Sequence, residues 1–259
     1  RLGFWRENES FSSLNDPMNP RLLTLVILLL SGALHAQWWT QLNPPANLFN
    51  NIIFSVVADK TGKLYAAGGC TDSAGENAIA VLNNGTWSEL GVGANTLHAK
   101  GNIYALAFDP SGNLYSAGAF TDATGHYYVA KWNGSDWSET GPASAAQNFT
   151  GQIFSLAADK IGNIYAGGEM IDSLGNYYVS KFDGTQWQPL GSGLQSLHAN
   201  GIIYAVVADA GGNIYAAGQF TNASGKWYVA KWDGSSWSEL GTGAGALNAN
   251  GAINSLATD

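Results

Sequence analysis

From residue 51 onward the chain restarts every 50 residues, at Asn51, Gly101, Gly151, Gly201 and Gly251, without insertion or deletion. Residues 101–150 match residues 201–250 at 27 of 50 positions. A repeat of this length is one supersecondary unit that leaves an apolar face bare unless a copy of itself covers it, so the units must stack in a row or a ring. Four runs per unit are rich in β-branched and aromatic residues and bounded by Gly, Asn, Asp or Ser; in the fourth unit they are residues 202–209, 213–220, 227–233 and 236–241. These runs read as strands.

The turns predict how the strands connect. Asp-x-x-Gly (Asp59–Gly62, Asp109–Gly112, Asp159–Gly162, Asp209–Gly212) joins strands one and two, with Asp accepting from the backbone and Gly at positive φ. Asn/Asp-Gly, as in Asn133-Gly134 and Asp233-Gly234, joins strands three and four as a hairpin. Four such meanders with no helix between them can cover their faces only around an axis. The expected fold is all-β: a β-propeller of four-stranded antiparallel blades at residues 51–100, 101–150, 151–200 and 201–250, with residues 251–259 as the first strand of a truncated blade. Trp39-Thr40-Gln41-Leu42 matches Trp237-Ser238-Glu239-Leu240, so residues 37–50 are expected to be an orphan closing strand and linker. An orphan fourth strand closes a propeller by pairing with the third strand of a final blade; the ring is therefore expected to be incomplete, with further C-terminal blades needed to close it.

Side-chain size predicts the radial order. Small first-strand residues (Ser55, Ala105, Ser155, Ala205, Ser255) suit the crowded axis, and Trp87, Trp137, Trp187 and Trp237 on the fourth strand suit the wider gap at the rim. These Trp residues could also form a sugar-stacking ladder, but recurrence in every unit favours packing. Lys131, Lys181 and Lys231 are expected to pack their stems and expose their heads.

The N-terminal region has a different character. Residues 18–36, from Met18, carry one cation at Arg21, an apolar run from Leu22 to Leu30 and small residues ending at Ala36, the pattern of a signal peptide. Cleavage there makes Gln37 the mature N-terminus and predicts a secreted protein, with residues 1–17 an untranslated or upstream extension. The apolar run is too short for a bilayer span of about 20 residues, so no membrane span is expected. All three Arg (Arg1, Arg6, Arg21) precede the mature chain, which has eight Lys against 16 acids and lacks the clustered cations that nucleic acid requires. Cys70 is the sole cysteine; its repeat equivalents Phe120, Met170 and Phe220 mark it as a core filler, and stability must come from packing.

Gly-Gly closing the second strand (Gly68-Gly69, Gly167-Gly168), the aromatic-Asp-Gly turn at Trp232-Asp233-Gly234 and the Trp three residues beyond it resemble kelch-type propeller blades. Asp159–Tyr165 and Asp209–Tyr215 resemble other secreted bacterial propeller repeats. The resemblance covers residues 51–259 and implies the fold, together with a partner-binding role. Propeller enzymes fit poorly. A sialidase-like site needs an arginine triad that the mature chain lacks, and "DGSSW" is one residue short of Asp-box spacing. A galactose-oxidase-like copper site needs converging His and Tyr ligands, but His98, His126 and His198 are scattered. Calcium would need six to eight oxygens, and Asp72, Asp122 and Asp172 supply one carboxylate per loop, better explained as turn caps. No cofactor, metal or catalytic residue is therefore expected.

Function should lie where the units differ. The loops between strands two and three carry Glu76, His126, Asn176 and Lys226 at one repeat position, followed by Asn77, Tyr127, Tyr177 and Trp227. Glu76, His126, Tyr127, Asn176, Tyr177, Lys226 and Trp227 are the candidate ligand-binding residues for a protein or glycan, against drift at exposed loop tips. The expected function is a secreted, non-catalytic binding module; the alternative is the propeller part of a secreted carbohydrate-active enzyme whose catalytic residues lie beyond residue 259.

Overall fold

A computed structural model describes residues 51–72, 74–91, 93–141 and 149–258. The upstream extension, signal peptide and orphan strand expected within residues 1–50 lie outside the described residues. Four antiparallel sheets of four strands each follow one another in chain order. The first contains β1 (Ile53–Ala58), β2 (Leu64–Thr71), β3 (Asn77–Asn83) and β4 (Thr86–Glu89). The second contains β5 (Ile103–Phe108), β6 (Leu114–Gly118), β7 (Ala130–Trp132) and β8 (Trp137–Glu139). The third contains β9 (Ile153–Ala158), β10 (Ile164–Gly168), β11 (Ser180–Phe182) and β12 (Trp187–Pro189). The fourth contains β13 (Ile203–Ala208), β14 (Ile214–Gly218), β15 (Ala230–Trp232) and β16 (Trp237–Glu239).

The Asp-x-x-Gly turn is held as its chemistry predicts. In the fourth sheet Gly212 adopts φ 87° and donates its N–H to Asp209 O at 3.1 Å. Asp209 Oδ1 accepts from Asn213 N at 2.8 Å, while Oδ2 accepts from Asn213 Nδ2 at 2.6 Å and the Tyr215 hydroxyl at 3.0 Å. The same network recurs at Asp159 with Asn163 and Tyr165, where Asp159 is buried. Hydrogen bonding to the ionised form keeps a carboxylate charged under conditions that would otherwise protonate it. The Asn213 amide, joined by the Asn213 N–H and the Tyr215 hydroxyl, holds the Asp209 carboxyl at about 2 against the burial that raises it.

First strands of successive sheets lie side by side, β1 against β5, β5 against β9 and β9 against β13, placing them innermost around a common axis. Each carries a bulge at the same place: Ile53 pairs with Gly68 and Ser55 with Ala67, leaving Phe54 as the extra residue, as at Tyr104, Phe154 and Tyr204. A bulge re-aims one side chain out of the pleat. Here Phe54, Tyr104, Phe154 and Tyr204 meet ring to ring at 5.0, 5.1 and 5.8 Å. Of the small residues after them, expected nearest the crowded axis, two also bond across the seam between sheets. Ser55 Oγ accepts from Leu106 N at 3.1 Å, and Ser155 Oγ accepts from Val206 N at 2.9 Å.

Two further expectations change in detail. The Gly-Gly pairs Gly68-Gly69 and Gly167-Gly168 are out of register by one; the glycine common to the four sheets is Gly68, Gly118, Gly168 and Gly218. A Cβ at any of these four would stand 2.0 Å from the carbonyl oxygen of the residue just before a first strand, so backbone approach excludes every other residue. Of residues 251–259, expected as a first strand, the described residues 251–258 carry no strand pairing; Ile253 N donates to Gly218 O at 3.1 Å and Thr258 Oγ1 to Ala208 O at 3.2 Å. A strand needs a partner ladder, and single bonds do not supply one. Among the described residues the four sheets form an open arc, and Ile52, Phe54 and Val56 at the edge of the first are exposed.

The fourth-strand Trp residues fill the rim as expected. Trp187 is buried, stacks on Phe182 at 5.3 Å, meets Phe149 edge-on at 5.3 Å and donates Nε1–H to Thr140 Oγ1 of the preceding sheet at 2.9 Å. Trp237 donates to Leu190 O at 3.0 Å across the next seam. Lys131 and Lys231 set their ammonium groups over the rings of Tyr115 and Tyr215 at 5.7 and 5.8 Å. Cys70 is buried, with Sγ 3.5 Å from Asn51 O.

Trp187→Ala is expected to cost about 3 to 5 kcal/mol by chemical denaturation, because it opens a cavity and removes the hydrogen bond to Thr140 Oγ1 across a seam; a loss below about 1 kcal/mol would show that the rim does not hold the sheets together. The Asp209 carboxyl lies below the unfolded carboxylate value of about 3.9, so its contribution is complete above that pH and is lost as pH falls through about 2. The urea midpoint is therefore expected to fall between about pH 4 and 2, less steeply in Asp209→Asn; equal slopes would assign the acid sensitivity to other groups.

Candidate functional site

The loops between the second and third strands share one backbone built by one side chain. Asp72 Oδ1 accepts from Ala74 N at 2.8 Å and Glu76 N at 3.0 Å. Asp122, Asp172 and Asn222 repeat this with residues 124 and 126, 174 and 176, and 224 and 226. The acids here cap turns, as expected. The residue after each variable position then forms an isolated bridge to the segment entering the next sheet: Asn77 with Ala99, Tyr127 with Phe149, Tyr177 with Ala199 and Trp227 with Ala249. Those bridges place the loops and the connections on one face, where Glu76 meets His98.

The candidate residues divide by burial. Lys226 is exposed, and Glu76, His126 and Asn176 are half-buried. Glu76 Oε2 lies 2.6 Å from His98 Nδ1. His126 Nδ1 lies 2.8 Å from Thr124 Oγ1 and 3.9 Å from Asp122 Oδ2. Asn176 Nδ2 reaches Asp172 Oδ2 at 3.5 Å. The aromatic residues are half-buried, Tyr127 against the cluster of Ile153, Met170 and Trp187, and Tyr177 against that of Leu197, Ile203 and Phe220. Part of each Tyr ring is therefore scaffold, and Trp227 is likewise half-buried. Among the described residues no hydrogen bond joins one variable position to another, so the loops present four separate side-chain sets around the face.

Sequence reasoning missed the residues that face these loops from the fourth strands. Asn222 Nδ2 donates to both oxygens of Glu239 at 3.2 and 3.1 Å. The corresponding positions in the first sheet are Asp72 and Glu89, and in the second Asp122 and Glu139. Burial pushes the Glu89 carboxyl up and the Asp72 charge adds to it, opposed by His98; burial and then Asp122 do the same at Glu139. The Tyr128 hydroxyl is raised to about 12 by burial, then by Glu139 and Asp122. The Thr124 hydroxyl and then the His126 N–H hold the Asp122 carboxyl below the usual range. A cleft of about 350 Å³ opens beside Asn222, Tyr228, Trp237 and Glu239. A larger one of about 520 Å³ lies on the opposite face, lined by the Asp-x-x-Gly turns of three sheets with Tyr65, Phe108 and Trp132. There Lys60 Nζ donates to Pro110 O, and Lys160 Nζ donates to Ala210 O at 3.1 Å, so both cations tie successive turns together.

No family model matches the chain, and no curated protein matches it in sequence. Among solved structures, a mutant Aleuria aurantia lectin in complex with Fucalpha1-6GlcNAc is 13% identical, with a TM-score of 0.51 over 76% of this chain and 65% of the lectin. The fold is a β-propeller. The nidogen/laminin complex also aligns, at 17% identity and a TM-score of 0.48, over 76% of this chain and 65% of its own. So does a gluconolactonase from Xanthomonas campestris, at 14% identity and 0.49, over 78% and 64%. The propeller thus spans just under two-thirds of the length of each of these proteins. Among its described residues no helix is long and apolar enough to cross a membrane.

Burial separates scaffold from display at the loop face. Tyr177→Ala is expected to destabilise the propeller by about 2 kcal/mol, and Lys226→Ala by no more than about 0.5 kcal/mol. Thermal and urea unfolding of the two variants checks this, and equal small effects would mean that the Tyr177 ring is display as well.

Proposed function

We propose that this propeller is a secreted, non-catalytic binding module that presents its loop face to a protein or glycan at the cell surface or outside the cell. One observation carries the reading: four loops with one backbone and one side-chain oxygen cap, from Asp or Asn, present Glu76, His126, Asn176 and Lys226 at the same place. Packing demands nothing so varied there, and rigid scaffolds commonly carry recognition on such loops. The half-buried rings of Tyr127, Tyr177 and Trp227 offer stacking edges beside these polar groups, a combination suited to sugar rings and to protein hot spots. The acid excess of the mature chain argues against nucleic acid as the partner.

Glycan arrays and binding to extracellular protein fractions test this with the chain and with the double variant His126→Ala, Lys226→Ala. A bound ligand is expected to lose about tenfold or more in affinity, or 1.4 kcal/mol, at unchanged melting temperature. Binding that survives the double change but is lost in Trp132→Ala would move the site to the opposite cleft.

A further inference from the structure

In the fourth blade, Glu239 is satisfied by the Asn222 amide, which gives each carboxylate oxygen a donor. In the first blade the same two positions are Asp72 and Glu89, so an acceptor replaces that donor. Glu89 Oε1 is left fully buried with no hydrogen-bond partner among the described residues. A buried carboxylate oxygen without a donor is costly and calls for a cation or proton. Asp72 Oδ1 is occupied by the turn N–H groups of Ala74 and Glu76, which leaves its second oxygen available.

Two more ligand-type groups converge here. The Asn77–Ala99 bridge brings Glu76 and His98 together although they are 22 residues apart, and one ligand atom each from Asp72, Glu76 and His98 lie within 4.8 Å of one another. The His98 ring is held on its other side, where Thr96 Oγ1, donating to Gly93 O at 3.0 Å, lies 2.8 Å from Nε2 and 3.2 Å from Nδ1. Without an ion, a hydrogen bond between His98 Nδ1 and Glu76 Oε2 accounts for their separation of 2.6 Å. A metal ion bound beside both atoms would take the place of the proton they share, with Thr96 steadying the ring as outer partners of metal-bound imidazoles do.

We propose that Asp72, Glu76 and His98 bind one divalent first-row metal ion, with Glu89 as the buried carboxylate behind it. Two carboxylates and one imidazole without a thiolate suit Zn²⁺ or its neighbours, and they fall short of the six to eight oxygens of Ca²⁺. The other blades do not repeat the set: the second has His126 and Asn148 at the positions of Glu76 and His98, the third has Asn176 for Glu76 and Pro189 for Glu89, and the fourth has Asn222 and Lys226 for Asp72 and Glu76. The site does not depend on what the loop face recognises.

The test is titration of the chelator-treated chain with Zn²⁺, and separately with Ca²⁺, followed by calorimetry and thermal unfolding. One Zn²⁺ per chain is expected, with a higher melting temperature because the ion binds only the folded state. Binding should be lost in Asp72→Asn and in His98→Ala and unchanged in His198→Ala. Glu89→Gln should weaken it about 10- to 100-fold. Asp72→Asn keeps the turn cap that Asn222 shows to be sufficient, so its loss of binding would not reflect unfolding. Absence of saturable Zn²⁺ binding, Zn²⁺ binding that survives Asp72→Asn or His98→Ala, or Ca²⁺ binding without Zn²⁺ would overturn the assignment.

Discussion

Each four-stranded blade has apolar side chains on both faces, and only the neighbouring blade can cover them; the rest of the molecule follows from that seam. Near the axis the seam is narrow. Gly167 shows how narrow: a Cβ there would stand 2.6 Å from Val206 and 2.7 Å from Ile203 of the next blade. Small buried residues such as Ala66, Ala117, Ala166 and Ala216 line it, and Ser55 and Ser155 bond across it. Toward the rim the blades diverge, and Trp187 and Trp237 fill the space while donating to the preceding blade. Filling a widening gap with rings gains apolar burial at a place where smaller side chains would leave voids.

Because the seams carry stability, the loop face is free to vary. The Asx cap needs only an oxygen at position 72 and its equivalents, which Asp and Asn supply equally. That tolerance lets the electrostatics change blade by blade without moving the backbone. Asn222, Lys226 and Glu239 make a self-compensated set in the fourth blade, whereas Asp72, Glu76 and Glu89 concentrate acid in the first. The buried Glu89 oxygen shows that this difference has an energetic consequence beyond surface decoration.

Much of this architecture was legible in the primary structure. The 50-residue period, the Asp-x-x-Gly turns and the Trp at every fourth strand led directly to four-stranded blades, because strand number and turn type depend on residues close in sequence. The role of the small first-strand residues was not legible: a bulge at Phe54 and its equivalents shifts which side chain faces the axis, and nothing local announces a one-residue slip. Nor was the half-buried state of Tyr127 and Tyr177, which depends on the neighbouring blade. The Gly pairs resembled one another as dipeptides, yet only pairing across the sheet revealed that Gly68, Gly118, Gly168 and Gly218 share a position.

By itself the sequence determined the repeat, the strand order within a blade, the turn chemistry and the absence of Arg beyond residue 21, all properties of neighbours along the chain or of composition. Tertiary structure alone decided which residues meet. Glu76 and His98 come together only because Asn77 bridges to Ala99, and Asp72 and Glu89 occupy a facing position only because the blade folds its fourth strand back beside the loop. A side chain's partner across such a bridge depends on register, and register is set by the whole blade.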